Sequence, residues 1–285
     1  MRQLLVTGGN GVSLVGDAYG ASSATPVLLL HGAGQTRHSW GGTAKDLAAA
    51  GFFAVSADHR GHGDSDWDPE GDYAFGAFRA DVEAWSDALG GAPAVVGASL
   101  GGISALLTAG HRIAEGKPPG MGALVLVDIA PRLEAEGADR ILEFMAARPE
   151  GFASIDEAAD VIAEYLPHRP RRSDSSGLAK NLRLGEDGRY RWHWDPKFLE
   201  DASRRRSVRR STELVECARR LNFPTLLVRG RLSDLLSEEG AQEFLADVPH
   251  AEYVNVRDAG HMVAGDRNDV FTAAVADFLN RVVSR

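Results

Sequence analysis

Apolar positions along the first 130 residues change rhythm repeatedly, and each change marks an element. Leu4-Leu5-Val6 and Val12-Ser13-Leu14-Val15 flank Gly8-Gly9-Asn10-Gly11 and predict a hairpin. Pro26–Leu30 and Ala123–Val127 are continuous apolar runs, as expected of strands buried on both faces. Phe53–Ala57 and Ala94–Val96 read as further strands. Thr43–Ala50 is helical in pattern, as are Phe78–Leu89, where Phe78, Val82, Trp85 and Leu89 recur every three or four residues, and the stretch from Gly102. Strands alternating with helices predict an α/β fold, a mainly parallel sheet with helices on both faces.

From Pro131 the pattern changes. Strongly buried strands vanish, helical segments are expected around 137–147, 154–166 and 173–182, and 182–194 reads as a hairpin turning at Gly185-Glu186-Asp187-Gly188. Buried strands resume at Pro224–Val228 and Glu252–Val256, and a helix is expected over 269–283. This predicts a core domain, 1–130 and 214–285, interrupted by a mostly helical inserted cap, 131–213.

Composition narrows the class. The 285 residues are 44% hydrophobic, enough for a sizeable core without covalent staples. Cys217 is the single cysteine, so no intrachain disulfide is expected and a reducing, cytoplasmic location fits. The N-terminal apolar run is too short for a signal peptide, and no stretch approaches the roughly 18 apolar residues of a membrane span. A formal net charge of −9 argues against general nucleic-acid binding. The charge is uneven: residues 168–210 hold thirteen Lys and Arg against six Asp and Glu. Were Arg169, Arg171, Arg172, Arg183, Arg189 or Arg191 to face a site, an ester bearing a remote carboxylate would be favoured; pairing or solvation of these arginines is the plainer expectation.

The chemistry gathers where strands end. Gly97-Ala98-Ser99-Leu100-Gly101 is a G-x-S-x-G pentapeptide between a strand and a helix, a setting that strains the serine backbone and lifts its hydroxyl above the sheet. His31-Gly32-Ala33-Gly34 follows an earlier strand, and Asp58-His59-Arg60-Gly61-His62-Gly63-Asp64-Ser65 the next. Asp234 follows the Thr225–Val228 strand, and Ala259-Gly260-His261-Met262 the last. In this order and context the chain resembles the α/β-hydrolase superfamily, specifically its serine esterase-like members with an inserted cap.

The resemblance implies a nucleophile at Ser99, a base at His261 and an acid that holds the imidazole, for which Asp234 is the choice and Asp128, ending the Ala123–Val127 strand, the rival, because some family members carry the acid there. It implies an oxyanion hole from the backbone N–H groups of Leu100 and Ala33. A serine needs such a base at neutral pH, and histidine's ordinary pKa of about 6.5 suits the task. Trp40, Trp192 and Trp194 are candidate pocket residues, with core packing as the alternative for each. His31 is expected to shape the oxyanion loop, His59 and His62 to be structural, and His111, His168, His193 and His250 carry no motif. No zinc motif, dinucleotide fingerprint or phosphate loop is present in the sequence, so no metal or cofactor is implied. The expected reaction is hydrolysis of a small-molecule carboxylic ester or lactone through an acyl-enzyme. Perhydrolysis or C–C bond hydrolysis with the same residues is an alternative, as is a non-catalytic ligand receptor on this fold.

Overall fold

The computed structural model describes residues 1–166, 174–200, 211–261 and 268–283. Eight strands form one sheet: β1 (Arg2–Thr7), β2 (Ser13–Tyr19), β3 (Pro26–Leu30), β4 (Phe53–Ala57), β5 (Ala94–Ala98), β6 (Ala123–Val127), β9 (Thr225–Gly230) and β10 (Glu252–Val256). Their order is β1-β2-β4-β3-β5-β6-β9-β10. The first hairpin is antiparallel to itself and to β4, and every other pairing is parallel. The continuous apolar runs follow from this arrangement, because alternate residues of each central strand enter different cores.

On one face Leu28, Leu30, Val95, Leu124, Leu126 and Leu227 pack against α2 (Phe75–Ala88), α3 (Leu100–Ala114), α7 (Ser211–Arg219) and α8 (Glu238–Asp247). On the other, Val27, Leu29, Val96, Val125, Leu226 and Val228 meet α1 (Gly41–Ala49) and α9 (Asn268–Val282). Each such large apolar side chain contributes about 1.5–3 kcal/mol by leaving water. The central helix α3 is buried at every residue from Leu100 to Gly110, which fixes the helix that starts at Ser99.

Trp40 belongs to the second core. It is 2% exposed, it packs with Ala44 and Leu47, and its ring lies 5.6 Å from that of Phe271. The expectation that it lines a pocket is therefore corrected: the short helical turn before α1 folds it inward against α9.

Between β6 and α7 lie α4 (Ala135–Ala146), α5 (Ile155–Tyr165), the small hairpin β7 (Leu182–Leu184) and β8 (Tyr190–Trp192), and α6 (Lys197–Glu200). The helix expected over 173–182 is instead a 3-10 turn, Ser176–Asn181, among the described residues. Helix α8 was not read from the sequence. Gly240 and a mostly charged surface blur its period, although Ser237, which caps it by accepting from Gly240 N–H at 3.2 Å, and the acidic Glu238-Glu239 behind it are a legible start signal. Residue 213, the expected cap boundary, falls inside α7, whose Leu214, Cys217 and Ala218 join the core under α3. Among the described residues no helix is long and apolar enough to cross a membrane.

Candidate active site

Ser99 stands at the turn between β5 and α3 with φ 45° and ψ −113°, a strained backbone for a residue with a Cβ. The flanking glycines make the turn possible. A Cβ on Gly97 would lie 2.5 Å from Gly102 N, and one on Gly101 the same distance from the Leu30 carbonyl oxygen. The turn holds Ser99 half-buried beside the loop after β3, where the Cα of Gly32 faces the Ser99 Cβ.

In that loop the amides on either side of Ala33 are engaged. Gly32 N–H donates to Gln35 Oε1 (3.4 Å), Gln35 N–H to the Gly32 carbonyl (3.1 Å) and Gly34 N–H to His62 Nε2 (3.2 Å). Among the described residues nothing accepts from the N–H of Ala33 or from that of Leu100, the first residue of α3. Both residues pack into an apolar cluster with Met145, Trp192 and Trp194 of the inserted segment. The two indoles stack at 5.1 Å and 14°, and Trp192 also meets Phe144 and Phe152.

His261 follows β10, and its Nδ1 lies 2.7 Å from Asp128 Oδ2. Asp128 directly follows β6, as Ser99 follows β5. Because Ala98 and Val127 are register partners, Ser99 and Asp128 continue the same rung of the ladder. Asp128 is fully buried and has φ 52°. Its Oδ1 accepts Gly230 N–H at 3.0 Å, and its Oδ2 accepts the Ser233 hydroxyl at 2.5 Å as well as the imidazole. Ser233 is held in turn by the N–H groups of Leu235 and Leu236.

The acid expected at Asp234 is corrected by this geometry. Asp234 turns outward to Arg140 of α4 (2.8 Å), and both side chains are about half exposed. The loop after β9 curls so that Ser233, one residue earlier, faces inward. Strands β6 and β9 are neighbours, so carboxylates at either end come near the same histidine, and the local turn decides which one meets it. The rest of the loop carrying His261, Met262 onward to residue 267, lies outside the described residues.

Four imidazoles underlie the loop of Ala33. His31 Nδ1–H donates to the Gly32 carbonyl while its Nε2 accepts His59 N–H; His59 Nε2–H donates to the His31 carbonyl. His62 Nδ1–H donates to the Arg60 carbonyl. His193, which no motif marked, has Nδ1 on Gly63 N–H and Nε2 on the Gly34 carbonyl. In His31, His62 and His193 one ring nitrogen donates and the other accepts, which is the pattern of a neutral tautomer. Burial pushes His31 down to about 3 and His193 to about 4, and burial with neighbouring imidazoles puts His62 well below the ordinary range.

A stability profile follows. Between about pH 4 and 6.5 His31, His62 and His193 bind protons in the unfolded chain and not in the fold, so stability is complete above 6.5 and falls as the pH drops below it. His31 and His193 each cost roughly 2 kcal/mol between pH 7 and 5. Urea midpoints at pH 7, 6 and 5 check this, and a flat profile would show that the rings take up protons in the fold as they do in the unfolded chain.

Three arginines of the basic segment are engaged among the described residues. Arg189 donates to the carbonyls of Glu150 and Gly151, Arg191 clasps Asp187 through both terminal nitrogens, and Arg183 donates to the Gly63 carbonyl and lies 4.8 Å over the Trp67 ring. Arg169, Arg171 and Arg172 lie outside the described residues. No group of His, Cys, Asp and Glu suited to a metal ion occurs among the described residues.

A strained serine elbow, a buried carboxylate on a histidine and a parallel sheet that carries both at its strand ends define the α/β-hydrolase class. The family model for the alpha/beta hydrolase fold matches residues 25–267, and the chain belongs to that family. Over 256 residues it is 30% identical to the esterase Rv0045c of Mycobacterium tuberculosis, covering 86% of this chain and 79% of that one. A crystal structure of that esterase superposes with a TM-score of 0.71 at 27% identity, covering 98% of this chain and 92% of the other. The chain is also 26% identical to the mouse sn-1-specific diacylglycerol lipase ABHD11 over 91% of its own length and 82% of the lipase. E-2-(acetamidomethylene)succinate hydrolase shares the fold with a TM-score of 0.85 at 23% identity, over 98% of this chain and 99% of that one.

Proposed function

We propose that this carboxylic ester hydrolase cleaves a small-molecule ester through an acyl-enzyme on Ser99. The Ser99 hydroxyl oxygen attacks the acyl carbon and its proton passes to His261 Nε2. The imidazolium so formed keeps its Nδ1–H on Asp128. The carbonyl oxygen becomes an oxyanion held by the N–H groups of Ala33 and Leu100, which are free to receive it. As the intermediate collapses, the bond to the leaving oxygen breaks and His261 returns its proton to the departing alkoxide. Water then repeats the sequence on the acyl-enzyme and releases the acid. The observation that carries this reading is the 2.7 Å bond from His261 to the buried Asp128, on the strand next to the serine elbow. The esterase and lipase relatives support the same bond class.

Residues 131–213 serve in this reading as the cap, with the stacked Trp192 and Trp194 as the apolar wall for the acyl group. Trp192→Ala is expected to raise KM for phenyl-bearing acyl esters about tenfold, the worth of one aromatic contact, while KM for an acetyl ester changes little. Equal KM changes for both would remove the wall from the substrate's path. The nucleophile is tested by fluorophosphonate labelling with peptide mass mapping: the adduct is expected on Ser99, and an adduct elsewhere would overturn the mechanism.

A further inference from the structure

Gly34 follows Ala33 directly, and both its polar backbone atoms are taken by imidazoles. Its N–H donates to His62 Nε2, and its carbonyl accepts from His193 Nε2–H at 3.3 Å. The two rings come from distant parts of the chain: His62 from the turn after β4, His193 from just beyond β8 in the inserted segment. The other nitrogen of His193 accepts Gly63 N–H at 2.8 Å, and Arg183 of β7 donates to the carbonyl of the same Gly63 at 2.8 Å. One buried ring thus joins the Gly34 backbone to the turn after β4, and its neighbour strand secures that turn. Gly34 itself has φ 72° and the Met145 side chain against it, so the loop is gripped from the inserted segment on two sides.

We propose that His193 is a positioning residue: through its bond to the Gly34 carbonyl it keeps the adjoining Ala33 N–H aimed at the oxyanion. The accuracy of the oxyanion hole then depends on how the 182–194 hairpin is seated. This inference rests on the reading of Ala33 as an oxyanion donor given above. An oxyanion exists only in the transition state and the intermediates beside it, so a misaimed donor lowers kcat and leaves substrate binding alone.

Three variants test it with one substrate, each with kcat, KM and Tm measured. His193→Ala is expected to lose about ten- to hundredfold in kcat, with KM within about twofold of wild type. In His193→Gln the side-chain amide N–H stands where Nε2–H stood and donates to Gly34. In His193→Asn the carbonyl stands where Nδ1 stood and accepts only from Gly63. The Gln variant is expected to recover most of the lost kcat and the Asn variant is not. If His193→Ala does not fold, the Gln and Asn pair carry the test alone. An unchanged kcat in the Ala variant, equal kcat for Gln and Asn, or a kcat loss that only follows Tm would overturn the proposal. Ser99→Ala run alongside separates the two readings: its retaining activity would remove the acyl-enzyme reading, whereas an inactive Ser99→Ala beside an unaffected His193→Ala would remove this inference alone.

Discussion

Asp128→Asn is expected to lower kcat/KM by about 10³–10⁴-fold, and Asp234→Asn to leave it within about twofold. Three donors converge on the Asp128 carboxylate: Gly230 N–H on one oxygen, the Ser233 hydroxyl and the His261 imidazole on the other. An amide presents one oxygen and one NH₂. In either orientation the NH₂ opposes a donor, and turned toward His261 it forces the tautomer with the proton on the wrong nitrogen. Asp234 holds only a half-exposed ion pair with Arg140, an interaction typically worth under about 1 kcal/mol. The check is kcat/KM on a p-nitrophenyl ester together with Tm, since a buried unmatched donor also costs about 1–3 kcal/mol of stability. An active Asp128→Asn beside a dead Asp234→Asn would reverse the assignment.

Ser99→Ala is expected to reduce turnover by about 10⁵-fold or more, because serine and base act as a unit and neither works alone. The fold should be unaffected: alanine keeps the Cβ, so the strain at φ 45° is unchanged, and only a half-buried hydroxyl is lost. Unchanged Tm with lost turnover is the expected pair of results. Turnover near that of the wild type would end the acyl-enzyme reading.

The sheet was legible in the sequence because burial on both faces leaves unbroken apolar runs. Phe53–Ala57 and Ala123–Val127 are buried strands with the bounds their composition indicated, whereas Glu252–Val256 has the expected bounds but is an edge strand in which only Val256 is buried. The elbow was legible for a local reason too, since the glycines around Ser99 answer to contacts within a few residues and one neighbouring strand. The choice between Asp128 and Asp234 depended on a left-handed residue at the end of β6 and on the curl of the loop after β9, neither of which leaves a pattern along the chain. Trp40 was equally ambiguous, because a tryptophan in a turn packs inward or outward according to a helix 230 residues away. His193 gave no signal at all: its partners are backbone atoms of two distant turns.

Ser99 and Asp128 continue one rung of the parallel ladder from adjoining strands, about 4.8 Å apart in strand spacing. Their separation is thus a property of the sheet, as stiff as the protein's most deeply buried layer. Only the imidazole arrives on a tether of its own. For anyone remodelling this enzyme, the tolerance is lopsided. The loop after β9 supplies a supporting hydroxyl at Ser233, so the outward side chain of Asp234 can be recoded, whereas the buried Leu235 and Leu236, whose N–H groups hold Ser233, must stay in place. His261 must keep its bond to Asp128 if it is to act as the proposed base, and has no such latitude.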